Sequence, residues 1–504
     1  MGLYDYTIYS VIKRNAEVYG DRIGWIIGEQ KLTHHQFAEA VNRVAAGLLN
    51  AGIKKGDRIS TIAQNSLSFF YLLGAAAKIG AIMLPINWRL GKEEIEYVLR
   101  DGSPKLLFVG TDYIELIDSL RSRLGFVERF YSMDKASADY ESLQSLFEAE
   151  LIEPSWDVHS EDAVTIIYTA AVAGKPRGAI LSHRGLIAAN LECIRAWRLT
   201  EEDCHLCVLP LFHVGGLLPS LNVMHAGGKN TILPKFDPDQ VLRHIQGDRV
   251  TIFIEFSPML QTLLNRNQEL KCSLTSLRVV SGLDKSDVIK KFEEQTGGTF
   301  WAAYGQTETC NAITFAPYFE RMGSAGLPGL LCEVKIVDEY GNFLDPPQKG
   351  EIVVRGPQVF NGYWNLKEDN TYAFRNGWYH TGDKGHLDKD GYLWYVGRLP
   401  EKELIKTGGE NVYPVEVEKA ILEHPAVKEV SVIGVQDEQW GEGIKAVCVL
   451  EKGETMTGAE LIAFVASKIG RYKKPKYVTF VTDLPKTEGG SIDRETVKAR
   501  FGKV

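Results

Sequence analysis

Residues 33–62 read THHQFAEAVNRVAAGLLNAGIKKGDRISTI, and this stretch decides the fold class. Phe37, Val41, Val44, Ala45, Leu48 and Leu49 recur at helical spacing on one face, with Thr33 placed to cap the start and Gly52 to stop the run. Gly56-Asp57 then turns the chain into Arg58-Ile59-Ser60-Thr61-Ile62, which reads as a strand. Another strand-like segment precedes the helix at Gly24-Trp25-Ile26-Ile27, and similar ones recur at Leu106–Val109 and Val164–Tyr168. Strands alternating with helices predict an α/β architecture of parallel-type sheets flanked by helices.

The texture changes from about residue 326. Glu333–Val337 and Glu351–Arg355 alternate polar and apolar residues and are separated by Gly341-Asn342 and Asp345-Pro346-Pro347, which predicts a small antiparallel β subdomain at about 326–397. Beyond Gly397 the pattern predicts a helix over about Val415–Glu423, strands at Val430–Ile433 and Ala446–Leu450, and a helix at Gly458–Ile469. The expected organisation is a large N-terminal domain, 1–397, and a small mobile α+β C-terminal domain, 398–504, divided within Arg398–Lys402.

The chain has 504 residues, 44% hydrophobic and 24% charged, which excludes a mostly disordered protein. Lys+Arg at 57 against Asp+Glu at 65 gives a net charge of −8, so the global electrostatic footprint of a nucleic-acid binder is missing. The most apolar run, Phe69–Ala77, meets Lys78 well short of the roughly 20 residues of a membrane span. Met1–Tyr6 lacks the basic-then-apolar order of a signal peptide. Seven scattered cysteines, an odd number without framework spacing, fit a reducing cytoplasm. Cys204-His205-Leu206-Cys207 has metal-site spacing, but no second pair follows, and buried thiols on a strand are the expected reading.

The chemistry-bearing segments begin with the loop Tyr168–Gly178. Its small residues and two glycines let backbone N–H groups approach an anion, and Lys175 adds a point charge. It is expected to follow a strand and to precede Ser182-His183-Arg184-Gly185, which opens a helix. Pro176 stands where a Walker loop needs Ser or Thr. Downstream come Trp301-Ala302-Ala303-Tyr304-Gly305-Gln306-Thr307-Glu308, Tyr379-His380-Thr381-Gly382-Asp383, Gly397-Arg398 and the segment Lys402–Pro414. In this order and spacing they resemble the adenylate-forming superfamily of acyl-CoA synthetases, stand-alone adenylation domains and firefly-type luciferases. The likeness runs from about Leu32 to Arg494.

The resemblance implies a set of roles. Tyr304 offers adenine a flat ring, with Ala302 and Ala303 beside it in the nucleotide pocket. Asp383 accepts from the ribose hydroxyls and Arg398 donates nearby. Thr169, Gly174 and Lys175 serve the outer phosphates of ATP, Thr307 the α-phosphate, and Glu308 is the Mg2+ ligand. His213 lies beside the acid, while Ser281 and Gly282 wall the acyl pocket from adenine, with residues near Cys310–Thr314 also lining it. Lys406, Gly408 and Gly409 line the passage for the pantetheine of coenzyme A, and the tail turns about Lys402, preceded by a two-residue extension, Pro400-Glu401. The implied partners are a small-molecule carboxylic acid and coenzyme A, with no nucleic acid, no integral membrane segment and a homodimer as the assembly to consider. Medium-chain or aromatic monocarboxylates are the expected substrates.

Two departures fall on the ATP-consuming half. The family usually places Ser, Gly, Thr and Thr where this chain has Ala170, Ala171, Val172 and Ala173, so three hydroxyl donors are gone. The catalytic lysine after the last Gly of Leu484–Arg494 is Ser491, and replacement by Lys486 or Arg494 needs a shifted loop. The expectation is an AMP-forming acid–CoA ligase with weakened adenylation. The alternatives are a catalytically impaired nucleotide or acyl-CoA binding protein and an adenylating enzyme that loads a carrier protein.

Overall fold

The computed structural model describes residues 2–134, 139–169, 176–398, 404–408, 410–486 and 492–503. The deciding helix runs His34–Asn50. It starts there because the Thr33 hydroxyl accepts the Gln36 N–H at 3.1 Å while the Gln36 side chain accepts the Thr33 N–H at 2.9 Å. Phe37, Val41, Val44, Ala45 and Leu48 are buried on its inner face, against helices Ile8–Tyr19 and Leu67–Ile79. Trp25, from the strand Ile23–Ile27, is fully buried, with ring centroids 4.6 Å from Phe37 and 4.5 Å from Phe70.

Two sheets of parallel type carry the N-terminal body. One has seven strands, ordered Glu141–Ser142, Arg129–Ser132, Leu106–Val109, Arg58–Ile62, Ile82–Pro85, Ala163–Thr169 and Arg177–Ser182. The other has nine, ordered Leu327–Pro328, Asn311–Pro317, Thr299–Gln306, Val279–Leu283, Ile252–Phe256, Cys204–Cys207, Lys229–Ile232, Ile23–Ile27 and Gln30–Thr33. Its inner strands pair parallel and its edges antiparallel. A four-stranded antiparallel sheet follows, from Glu333 to Arg398. The last sheet has five strands, centred on the hairpin Val427–Asp437 and Gly441–Leu450. Its strands are longer than the sequence pattern gives, because Gly434 and Gln436 interrupt the apolar run without interrupting the ladder.

The apolar clusters of the last sheet contain only residues beyond 404, and none of the clusters earlier in the chain contains any of these. Cys204 and Cys207 are buried in a strand, and burial pushes both thiols up to about 12. Among the described residues no helix is long and apolar enough to cross a membrane.

One expectation needs correction. Ala163–Thr169 pairs antiparallel with Arg177–Ser182, with Thr169 opposite Arg177. The phosphate-loop candidate therefore joins two strands of a hairpin rather than a strand and a helix. The helix capped by Ser182 starts only after the six-residue second strand, roughly 20 Å along the chain from the loop. Ala170–Lys175, including Gly174 and Lys175, lie outside the described residues, as do Lys402, Pro400-Glu401, Gly409 and Ser491.

Trp25→Ala empties the meeting point of three aromatic rings and should lower the stability of the N-terminal body by about 3–5 kcal/mol. Urea unfolding of the full chain checks this through the first transition, while the transition of the five-stranded sheet should stay in place.

Candidate active site

All four sheets contribute to one junction, and a single carboxylate lies at its centre. Asp383, 2% exposed on the strand Tyr379–Leu387, is directly opposite Arg398 in the antiparallel ladder. Tyr304, 9% exposed near the end of the strand Thr299–Gln306, donates its phenol to Asp383 Oδ2 at 2.8 Å. Gln306, two residues on and hence on the same strand face, donates to the same oxygen at 2.6 Å. Its own carbonyl accepts from the Tyr379 phenol at 2.7 Å. Burial first, and then the Asp383 charge, raise the Tyr304 phenol well above its ordinary value, so it stays a neutral donor. Asp383 Oδ1 is buried without a hydrogen bond, although Arg398 Nε stands 3.1 Å away in poor alignment. A buried carboxylate oxygen with this unmet capacity fits hydroxyl donors such as those of a ribose.

A second anionic point lies one turn further along. Glu308, 8% exposed in the 3-10 turn Thr307–Thr309, accepts from the Tyr363 phenol at 2.8 Å. Arg177 lies with its guanidinium carbon 4.1 Å from the Tyr363 ring centroid and pairs with Asp369 at 3.0 Å. Thr307 is half-buried at the start of the turn, and Thr169, also half-buried, ends its strand opposite Arg177. Among the described residues no three His, Cys, Asp or Glu side chains cluster as a metal cage. A lone carboxylate suits Mg2+, which takes one or two protein oxygens and completes its shell with phosphates and water.

His213 stands at the N-cap of the helix Val214–Ala226, and its ring lies 4.6 Å from that of Phe212. Ser281 donates to the Trp301 carbonyl at 3.0 Å, tying two neighbouring strands together. Gly282 pairs with Glu255, and a Cβ at position 282 would lie 1.8 Å from the Glu255 carbonyl oxygen, so only glycine fits. Ala302 and Ala303 are half-buried on the strand that ends in Tyr304-Gly305-Gln306.

The C-terminal body reaches this junction through one carboxylate. Glu410 pairs with Arg89 and, at 3.1 Å, with His213 Nε2. Burial alone would raise the Glu410 carboxyl, but His213 and Arg89 hold it down at about 2. Nearby, Lys406 Nζ lies 5.9 Å from the Tyr395 ring centroid. The protein atoms packed around this ammonium, and then Arg398, lower its pKa, although the residue keeps access to solvent. Gly408 has φ +57°, and a Cβ there would lie 2.7 Å from the Trp440 ring, so the turn before Glu410 requires glycine for packing as well as conformation. A second contact closes the seam: Lys473 pairs with Glu94 of the first body and, at 2.5 Å, with Glu416 of its own.

Of the residues expected from sequence, the structure joins Tyr304, Arg398 and Asp383 directly, sets Lys406 beside Tyr395, Thr307 and Glu308 in the turn that follows Gln306, and pairs His213 with Glu410. Sequence reading passed over Gln306 and Glu410, although both lie inside the quoted segments. It also passed over Arg89 and Tyr363, which belong to no motif and are recognisable only through their partners.

Comparison with known proteins places this geometry in context. The model of a family described as AMP-binding enzyme matches residues 12–364, and that of the AMP-binding enzyme C-terminal domain matches residues 416–490. Indoleacetate–CoA ligase of Aromatoleum aromaticum is 34% identical over 496 residues, covering 97% of this chain and 96% of that protein. A provisionally assigned long-chain-fatty-acid CoA ligase of Rhodopseudomonas palustris is 43% identical with a TM-score of 0.76, covering 79% of this chain and 100% of that one. A double mutant of o-succinylbenzoate CoA synthetase from Bacillus subtilis, bound to a product analogue, is 28% identical with a TM-score of 0.86, covering 98% of each chain. The same enzyme with its acyl-adenylate intermediate has a TM-score of 0.71 at 28% identity and 100% coverage of both chains.

Glu410→Ala leaves Arg89 and His213 without their shared anion. With both side chains about one-third exposed, docking of the C-terminal body should weaken by about 2 kcal/mol, less than for a fully buried pair. Small-angle scattering should then give a larger radius of gyration; an unchanged radius contradicts this role. In the wild type the contribution needs ionised Glu410. It is complete above pH about 4.5 and fades as pH falls towards the docked value of about 2.

Proposed function

The chain belongs to the AMP-binding enzyme family, and from that membership we propose that it is an AMP-forming acid–CoA ligase acting on an aromatic carboxylic acid. The observation that carries this reading is the junction at Asp383, where Tyr304, Gln306 and Arg398 converge on one buried carboxylate with an unused oxygen. Two of the acids in the relatives' names, indoleacetate and o-succinylbenzoate, contain an aromatic ring.

In this proposal the adenine of ATP lies against Tyr304, beside Ala302 and Ala303, and the ribose hydroxyls donate to Asp383. Thr307 donates to the α-phosphate, Thr169, Gly174 and Lys175 hold the outer phosphates, and Glu308 holds Mg2+. The bound metal supplies positive charge to the phosphate oxygens. The acid enters past His213 between Ser281 and Gly282, and its carboxylate attacks the α-phosphorus, expelling pyrophosphate and leaving an acyl-adenylate. The thiol of coenzyme A, guided by Lys406, Gly408 and Gly409, then attacks the acyl carbon and AMP leaves.

The division into 1–397 and 398–504, with rotation about Lys402, is part of the same proposal. The higher TM-score against the product-analogue complex than against the acyl-adenylate complex of one enzyme supports reading this arrangement as the thioester-forming one. Glu410 engages His213 in this arrangement, so turning the C-terminal body away frees the side chain that is to face the acid.

Ser491 and the segment Ala170–Ala173 favour a slow adenylation half. A missing cation in the transition state commonly lowers the rate on the order of 10²–10³-fold. The same two features favour a second reading, a nucleotide or acyl-CoA binding protein without turnover.

Acid-dependent exchange of pyrophosphate into ATP, followed by coenzyme A thioester formation, separates the two. The ligase reading expects slow exchange with aromatic acids, accelerated about 10²-fold by Ser491→Lys. Absence of exchange and of thioester in both proteins, with AMP still bound, would establish the binding-protein reading.

A further inference from the structure

The seam between the two bodies holds one ammonium for two carboxylates. Lys473, in the 3-10 turn Arg471–Lys473, pairs with Glu94 from the helix Lys92–Gly102 and, at 2.5 Å, with Glu416 from the helix Pro414–Leu422. Its side chain is 2% exposed and theirs are 12% and 10%, so the group lies almost wholly out of water. Among the described residues no second cation pairs with either carboxylate. On the same elements Lys92, Glu93, Lys419, Arg471 and Lys474 are exposed, while Glu418 is taken by Arg494 and Glu423 by Lys468. Further along the seam come the Tyr472 phenol, which burial keeps neutral, and then Glu410 with Arg89 and His213. With both acids ionised, the group would carry an uncompensated negative charge where desolvation is costly.

The two acids are not equivalent. Glu94 Oε2 accepts the Gly91 N–H at 2.7 Å and the Gly470 N–H at 3.0 Å, while its Oε1 faces Lys473. Glu416 has Lys473 and, beside it, only the Glu94 carboxyl. Hydrogen bonds to the charged form keep Glu94 ionised, so Glu416 is the acid that takes a proton and shares it with Glu94. Burial raises the Glu416 carboxyl, Lys473 draws it back and Glu94 raises it again, to about 7. Its place in the first turn of its own helix favours the anion, but a helix end acts more weakly than the loss of solvent. When the C-terminal body turns away, Glu94 returns to water without Lys473 and Gly470. Glu416 then keeps Lys473 to itself, one charge for one. Only the docked arrangement holds surplus acid.

We propose that Glu94, Lys473 and Glu416 form a proton-operated latch: docking of the C-terminal body binds one proton at Glu416, and turning away releases it. This rests on the turning of that body in the reading above and adds what regulates it. A carboxyl that is raised in the docked state and ordinary in the undocked one makes docking strongest at low pH. The contribution is complete below about pH 4.5 and is lost as pH rises towards 7. Across that window the docking constant falls by up to about tenfold per unit of pH. Mild acid therefore holds the docked arrangement, and a rising pH frees the body for the other half-reaction. Glu410, the other acid of the seam, acts in the opposite sense and only at lower pH. His213 loses its anion in Glu410→Ala, so that variant isolates the latch.

Infrared difference spectra of the ligand-free full chain, wild type minus Glu416→Gln, should show one protonated carboxyl that titrates away at about pH 7. The Glu255 carboxyl, also raised by burial, is common to both proteins and cancels. Glu94→Gln removes the surplus charge from the other body and should lose the same band, so it serves equally if Glu416→Gln does not fold. In the Glu410→Ala background, small-angle scattering should give a radius of gyration that grows as pH rises from about 5.5 to about 8. Adding either Gln substitution should flatten that dependence. A wild type without the band, a radius in Glu410→Ala that ignores pH, or a slope that survives the Gln substitutions overturns the latch. Neither measurement needs a substrate. A protein that forms no thioester yet shows the band and the pH-dependent radius keeps the latch and loses the ligase reading, whereas an active ligase without them loses the latch alone.

Discussion

A charge withdrawn from water needs partners, and in this protein the need of Asp383 organises the site. Its carboxylate, 2% exposed, is held by a phenol and an amide from the nine-stranded sheet and by a guanidinium across its own ladder. Each partner is fixed by a different constraint. Tyr304 and Gln306 share a strand face through the two-residue repeat, and Arg398 is opposite through antiparallel register. The same bonds that satisfy the charge therefore lock the small antiparallel sheet against the large one. They also leave one buried oxygen free of hydrogen bonds, at a depth where a polar contact is worth more than in water.

The C-terminal body is joined on different terms. Its apolar clusters are self-contained, and its strong contacts to the first body are ionic: Glu410 with Arg89 and His213, and Lys473 with Glu94. Ion pairs can be exchanged for water without exposing a core, whereas apolar surfaces cannot separate without the full hydrophobic penalty. A seam of this type is compatible with the proposed turning of the C-terminal body between the two half-reactions. It also explains why Gly408 is needed: the loop that carries Lys406 and Glu410 must fold tightly over Trp440 to present both residues at once.

Much of this was legible in the chain. The capped helix His34–Asn50, the strand Arg58–Ile62 and the antiparallel texture after residue 326 follow from periodicity and turn residues, which are local properties. Tyr304, Asp383 and Arg398 were accessible through motif order. The hairpin at 163–182 was not, because the polarity of a strand pair depends on where the neighbouring strand lies, not on the residues of the loop. Arg89 and Tyr363 were invisible for a related reason. Their importance comes from partners 321 and 55 residues away, and no short-range pattern records such pairs.

The central claim is that a nucleotide lodges where the two large elements meet at Asp383. A crystal structure of the protein with AMP tests it most directly. The account predicts one AMP per chain, with its base against the Tyr304 ring and both ribose hydroxyls within hydrogen-bond distance of the Asp383 carboxylate. An AMP molecule bound elsewhere, or an empty crevice at a concentration that saturates the protein in solution, would contradict it.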